Sequence, residues 1–228
     1  RFDTDIDPKI RIANLALCFW IDGVDWVQYD DFRHEKPQKY AELMKEVMLK
    51  GGQAGGFRSN LKGQEHIVWF HNRFPNKSQT DVEELTRVEF LGRQKMMITW
   101  EFFKKNVPGF ENSFIVLSAP QLGTRGARRV HGEYMVTIKD MESNEPFEDT
   151  IATFPDLDRE DESRKHPLQY IPYRSLIPKG VDNLFIACRA FSSDQAANNF
   201  FNLIPHCVAF GEAAGTAAAL SLKQGVSI

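Results

Sequence analysis

The sequence predicts an α+β chain, and two observations carry that expectation. Short apolar runs of strand length recur at residues 10–21, 66–74 and 114–118. Between them a helical periodicity lies at 36–50 and a capping box opens a helix at 81–105, and a long helix closes the chain from Pro205 to Gln224. That last helix and the apolar run before it have the character of a layered α/β unit, set apart from the β-rich stretch upstream.

Ile10–Ile21 (IRIANLALCFWI) is apolar with partial alternation and reads as a strand. Asp22-Gly23 is a turn signal leading into Val24-Asp25-Trp26. In Lys36–Lys50, Tyr40, Leu43, Met44, Val47 and Met48 fall at i, i+3, i+4, i+7 and i+8, the apolar stripe of an amphipathic helix. The glycine cluster Gly51–Gly56 reads as a flexible loop. His66–Phe74 (HIVWFHNRF) reads as a strand with large aromatics. Such a strand either lines a cavity, which makes His71 and Arg73 candidates, or is half-buried with its polar residues in water. Thr80-Asp81-Val82-Glu83 matches a capping box with Thr80 as N-cap, opening a helix from Asp81 to about Lys105. Leu85, Val88, Phe90 and Leu91 do not share one stripe, so burial on more than one side is expected. Pro108-Gly109 ends the helix, and Phe114–Ser118 is a short strand.

Gly123 and Gly126 permit a tight path through Arg125, Arg128 and Arg129. Their guanidinium forks suit a carboxylate or phosphate, or ion pairs inside the fold. Tyr134–Ile138 continues as a strand. Asp140–Lys165 is dense in Asp, Glu, Ser and Pro and reads as an exposed loop. Its carboxylates Asp156, Asp158, Glu160, Asp161 and Glu162 read as solvated.

Leu184–Ala187 lacks alternation, which predicts a strand buried on both faces. The polar stretch Ser192, Ser193, Asp194, Gln195, Asn198 and Asn199 precedes Phe200 and Phe201. It makes either an aromatic-walled site with fixed amides for an apolar ligand or a polar loop over an ordinary core. Pro205 suits a first helical turn, and Gly225 supplies the stop. Ala209, Ala213 and Ala217 recur at i+4, as do Gly211, Gly215 and Ala219. Another backbone or a flat ligand can approach such stripes, although a tightly packed core helix has the same spacing. Each mid-helix glycine costs about 1 kcal/mol against alanine, which asks for a reason.

The chain has 228 residues, a net charge of −3, 42% hydrophobic and 26% charged residues. These values suit a globular protein of one or two domains. They give no electrostatic case for nucleic acid or an anionic membrane. No apolar run reaches the ~20 residues of a membrane span, and no signal-peptide pattern opens the chain. Cys18, Cys188 and Cys207 show no metal-ligand spacing; reduced thiols in a cytoplasmic protein are expected, with Cys188 and Cys207 in apolar surroundings. Arg1 is not a translational start, so the chain is read as processed, truncated or partial at that end.

Three ordered motifs resemble the FAD-dependent oxidoreductases of the glutathione-reductase type. Asn183-Leu184-Phe185-Ile186-Ala187, Arg189, Ser192 and the run Gly211-x-Ala213-Ala214-Gly215-Thr216-Ala217-Ala218-Ala219 resemble their C-terminal signature. Leu122–Tyr134 and Ile171–Pro178 match two upstream segments. The family's G-x-G-x-x-G turn is absent. The resemblance therefore implies a substrate domain over residues 1–170, and a segment 171–228 whose strand and helix complete an FAD-binding domain. The dinucleotide-binding, Rossmann-type half is expected on a partner subunit or a severed chain half, making the active protein a heteromer.

The resemblance implies FAD held by Arg189 and Ser192, by amides of Asn202, Leu203 and Ile204, and by close approach at Gly211 and Gly215. Tyr173 and Arg174 lie in the segment expected near the flavin ring. Tyr173, Gln195 and His71 are the candidate catalytic groups, and Arg73, Arg125, Asn199 and Phe200 the candidate substrate contacts. The implied reaction is hydride transfer between flavin and a small, fairly apolar molecule. His66, His71 and His131 leave a covalent flavin link open. Three departures from the family pattern stand out: Cys188 for Gly, Gln195 for His and Asn202 for Arg. They leave two alternatives open, a non-catalytic partner stabilising a flavoenzyme and a flavoprotein doing redox-neutral hydration or isomerisation.

Overall fold

The computed structural model describes residues 2–3, 15–59, 62–126, 128–155 and 168–228. They fall into two units, residues 14–124 and residues 1–13 with 125–228. The division comes well before residue 170. The first described element, strand β1 (Phe2–Asp3), belongs to the second of these units.

In the unit of residues 14–124, β2 (Leu15–Asp22) alternates strictly: Leu15, Leu17, Phe19 and Ile21 are buried, and the residues between them are half-exposed. The expected strand is thus found, and residues 10–14 of it lie outside the described residues. Gly23 turns the chain at a φ of +73°, as the Asp-Gly signal predicts. Helix α1 (Trp26–Glu35) follows, with the Asp25 side chain capping it through Gln28 N–H at 3.0 Å. The sequence reading has no helix here, because only Tyr29 is buried and the apolar stripe is faint. Helix α2 (Pro37–Leu49) buries Leu43, Met44 and Val47 as its period predicts, while Met48 stays exposed. The following glycines are not a loose loop. Gly52 is buried, and a Cβ on it would come within 2.6 Å of Val47.

Strand β3 (Phe57–Arg58) pairs with β4 (Val68–Phe74), and β4 pairs antiparallel with β2. Helix α3 (Val82–Asn106) starts one residue later than expected. Its N-cap is Asp81, which accepts from Glu84 N–H at 3.0 Å, and Glu84 reaches back to Ser78 N–H at 2.7 Å. Burial falls on one stripe, Val88, Gly92, Thr99, Phe102 and Phe103, and not on several sides; Phe90 and Leu91 are exposed. At Gly92 the helix lies close over the sheet. A Cβ there would sit 3.2 Å from that of Leu17, and the Gly92 carbonyl takes the otherwise buried Asn72 amide at 3.2 Å. Strand β5 (Phe114–Ser118) completes the sheet order β3-β4-β2-β5. The core on its covered face is largely aromatic: Phe70, Phe103 and Phe110 lie edge to face at 5.0–5.2 Å.

In the other unit, β6 (Arg129–Val130) pairs with β1. Residues 134–137 are not the strand the sequence predicts. They form an irregular run ending in a capping box in which Thr137 and Asp140 open helix α4 (Ile138–Ser143). The expected loop 140–165 likewise gives way to α4 and to strand β7 (Thr150–Pro155). The acidic cluster from Asp156 to Glu162 lies outside the described residues. Strand β8 (Leu168–Pro172) pairs antiparallel with β7, and a 3-10 turn covers Tyr173–Leu176.

Leu184–Ala187 is not a buried strand. It is irregular and half-exposed, with Leu184 at 43%, and Ile186 N–H donates to Leu176 O at 2.8 Å. Pairings between named strands are all antiparallel among the described residues, so no parallel layer receives this run. Helix α5 (Gln195–Phe201) replaces the polar loop, capped by Asp194 through Ala197 N–H at 2.7 Å. Helix α6 (Ile204–Gln224) stops at Gly225, whose φ of +67° is the expected left-handed cap. Val136, Met141, Ile171, Leu176, Phe191, Phe201 and Phe210 form this unit's core.

Candidate functional site

The unit containing α6 holds most of the predicted site residues, and the turn 188–193 organises them. Its backbone is pinned on several sides. Asn198, 2% exposed, donates from Nδ2 to Arg189 O at 2.8 Å and to Ser193 Oγ at 3.2 Å. Ala190 O accepts from Val130 N–H at 2.9 Å, and buried Arg129 donates to Ser193 O at 3.1 Å. Ser192 is fully buried and its Oγ accepts Gly132 N–H at 2.9 Å, so it has an internal anchoring contact. Asn198→Ala should lower unfolding stability by about 1–3 kcal/mol, since a buried hydroxyl and a turn carbonyl both lose their donor. A shifted urea midpoint checks this, with wild-type-like stability as the contrary result.

Arg189 itself is exposed. Arg125 reaches Asn202 Oδ1 with a guanidinium nitrogen at 3.5 Å, which brings one expected substrate contact to one expected cofactor contact. Asn202 Nδ2 in turn donates to Asn199 O at 3.3 Å. Gln195 opens α5, and Asn199 and Phe200 lie half-buried on it. Cys188 is exposed, contrary to the apolar surroundings expected for it; Cys207 is half-buried.

The start of α6 has no side-chain cap at Leu203, no acidic residue in its first turn, and Pro205 among its first residues. Its unpaired N–H groups and partial positive charge are therefore open to an acceptor. Along one face, Ile204, Val208, Gly211, Gly215, Ala219 and Leu222 are all exposed. A Cβ on Gly211 or Gly215 would meet nothing within 4 Å. This face has no partner among the described residues, whereas the face carrying Phe210 and Ala214 is buried. These residues fit a flavin: uncapped amides and a bare backbone strip both suit a flat, electron-rich ring.

Ala209, Ala213 and Ala217 line a groove of about 370 Å³ with Tyr173 and Glu212. Burial raises the Tyr173 phenol, whose ring meets Phe185 at 5.7 Å. Arg174 is engaged elsewhere. It grips Asp149 in two hydrogen bonds of 2.9 and 3.1 Å and lies 5.0 Å over the Tyr134 ring. Burial pushes the Asp149 carboxyl up, but the Arg174 side chain and backbone N–H outweigh it and hold it below the usual range. Burial also raises the Tyr134 phenol, to about 12, with help from its bond to Asp140. A depressed carboxylate stabilises the fold above its ordinary pKa of roughly 4 and loses that effect as pH falls through its folded value. Asp149→Asn should therefore be less stable than wild type near neutral pH, with the gap closing in acid. Urea midpoints against pH check it; a gap constant with pH contradicts it.

His206 is missing from the sequence-derived set. It lies in the first turn of α6, 3% exposed, with its ring 4.4 Å from that of Phe154 and 5.4 Å from that of Phe201. Its Nδ1 has no hydrogen-bond partner, and burial lowers its pKa. Its position just after Pro205 is the signal that could have found it.

His71 and Arg73 lie in the unit of residues 14–124, on the uncovered face of the sheet. Register places Phe57, Trp69, Trp20 and Leu117 in one row across β3, β4, β2 and β5. Cys18 and His71 form the next row, then Ala16 and Arg73. Trp69 meets Phe57 at 6.0 Å and His71 at 4.8 Å. Phe57, Leu117 and Trp69 are 53%, 51% and 38% exposed, which leaves this row as an apolar strip open to solvent. Arg73 is exposed and makes no ion pair or side-chain hydrogen bond among the described residues.

No helix among the described residues is long and apolar enough to cross a membrane by itself; α5 and α6 meet at 94°. No curated protein and no solved structure matches the chain. A family model does match, that of the FAD dependent oxidoreductases, over residues 9–228. Since that match spans nearly the whole sequence and includes the turn, the uncapped helix and its bare face, the chain belongs to the FAD dependent oxidoreductase family.

Proposed function

We propose that this chain is the substrate-domain part of an oxidoreductase, and that it works with a dinucleotide-binding, Rossmann-type chain or chain half. The family match carries the reading. The open face of α6 and the half-exposed run Leu184–Ala187 support it, because both have the composition of a buried layer and neither is covered. The dinucleotide-binding half would cover them.

When bound, FAD supplies hydride acceptance at flavin N5 and carries negative charge around N1 and C2=O once reduced. Leu203 and Ile204, with Asn202 just before them, would place backbone N–H groups towards that charge, and Gly211 and Gly215 would admit the ring. Arg189, on the exposed turn, would face the cofactor as a cation. Tyr173 and Gln195 would hold or orient a proton on the substrate. Within the unit of residues 14–124, the row Phe57–Trp69–Trp20–Leu117, with His71 and Arg73 in the two rows beside it, would offer a ligand an apolar face edged by polar groups. In the unit that carries α6, Arg125 would fix a polar group of the substrate, and Asn199 and Phe200 would line its path.

Anaerobic addition of small hydride donors to the native complex tests the reaction type. The reading expects the flavin band to bleach as one compound is oxidised mole for mole. Turnover of a compound by hydration or isomerisation, with the flavin staying oxidised at its end point, would replace it with redox-neutral chemistry.

A further inference from the structure

The geometry points to a thiol pair that no part of the flavin reading uses. We propose that Cys188 and Cys207 are a redox couple, closing into a disulfide that ties the turn before α5 to the first turns of α6. The inference stands apart from the flavin assignment.

Two aromatic residues set the register. Phe191 and Phe210 each lie three residues beyond a cysteine, both are fully buried, and their rings sit 4.9 Å apart. The turn that carries Cys188 is thus held directly against the helix that carries Cys207. Consecutive amides of that turn then serve the two thiols. Ala190 N–H donates to Cys188 Sγ at 3.4 Å, and the Arg189 backbone N–H hydrogen-bonds the Cys207 thiol. The turn is closed on itself by Phe191 N–H to Cys188 O at 3.0 Å, and Asn198 and Val130 hold its carbonyls. Neither thiol is free to drift far from the other while these bonds persist.

Their exposures differ in the way a reacting and a resolving thiol require. Cys188 is open to solvent, and Cys207 is half-buried. Burial raises the Cys207 thiol, with the nearby Cys188 adding to the effect and the Arg189 N–H opposing it. Cys207 therefore rests protonated and reacts second. With a low-molecular-weight disulfide as oxidant, the Cys188 thiolate attacks one sulfur, breaks its S–S bond and releases one thiolate. The Cys207 thiolate then attacks Cys188 Sγ in the mixed disulfide and releases the second. Two cysteine thiols are oxidised, one external disulfide is reduced to two thiols, and the two protons pass to those thiols.

Arg189 makes the test direct, because trypsin cuts after it and leaves Cys188 on peptide 180–189 and Cys207 on peptide 190–223. The intact chain is equilibrated with oxidised glutathione, alkylated, digested without reductant and weighed. The expected product is the two peptides joined, lighter by two hydrogens than their sum, from a chain that remains monomeric on a non-reducing gel. Free thiols should fall from three to one, with Cys18 remaining, and dithiothreitol should restore all three. Cys207→Ser should instead accumulate a glutathione adduct on peptide 180–189, since its resolving thiol is gone. The proposal is overturned if wild type shows separate adducts, unmodified thiols, or linkage only between chains.

Discussion

Gly215→Leu should leave the chain folded and strip FAD from its complex. The backbone at Gly215 is ordinary helix, and a Cβ there meets nothing within 4 Å. Inside this chain the leucine has room, and replacing a mid-helix glycine raises helix propensity by roughly 0.5–1 kcal/mol. The isolated chain should therefore be slightly more stable than wild type. In a complex with the proposed dinucleotide-binding half, the same side chain would fill the strip proposed for the flavin or its supporting backbone. A loss of at least ~100-fold in FAD affinity is expected, equivalent to about 2.7 kcal/mol. Size-exclusion chromatography and flavin content, read on the same sample, separate the two effects. Wild-type flavin content would show that the bare face of α6 is not where the cofactor lies. Loss of assembly together with flavin would assign that face to the partner chain alone.

Phe103→Ala should be the most destabilising of the simple core truncations in the unit of residues 14–124. Phe103 is fully buried and touches the rings of Phe70 at 5.2 Å and Phe110 at 5.0 Å. Its removal takes away a large apolar side chain and leaves a cavity that aromatic neighbours cannot close, at a cost of about 3–5 kcal/mol. The four tryptophans, Trp20, Trp26, Trp69 and Trp100, all belong to this unit. Tryptophan fluorescence in denaturant therefore reads this unit's unfolding in particular. A midpoint unchanged from wild type would mean that the aromatic cluster is not the unit's core.

Elements that bury their apolar side within their own unit were legible. The stripe Leu43, Met44, Val47 gave α2, and the buried alternation around Phe70 gave β4. The stop at Gly225 gave the end of α6. Elements held by polar caps were not. Asp25, Thr137 and Asp194 each open a helix, but the helices that follow are short or weakly amphipathic, so periodicity was silent. The cap side chains were the better signal, particularly the Thr137–Asp140 box.

Leu184–Ala187 failed for a different reason. A continuous apolar run reports the environment it is suited to, and no described strand beside it supplies that environment. The glycines of α6 carry the same lesson. Sequence asked for a close neighbour at Gly211 and Gly215, and the structure leaves the space beside them open. Family motifs located the turn 188–193 and α6, but not what each side chain does there. The Ser192 hydroxyl oxygen holds a backbone amide, Arg174 is committed to Asp149, and His206 sits buried in the first turn of α6.

The visible absorption spectrum of the native complex, isolated through a tag on this chain and compared with the chain alone, tests the central claim most directly. A flavin spectrum from the complex and none from the isolated chain is the predicted result. It would mean that α6 and the turn 188–193 complete a cofactor site whose other half lies on a partner. No flavin in either sample would contradict the account and leave α6 as an element of the fold alone.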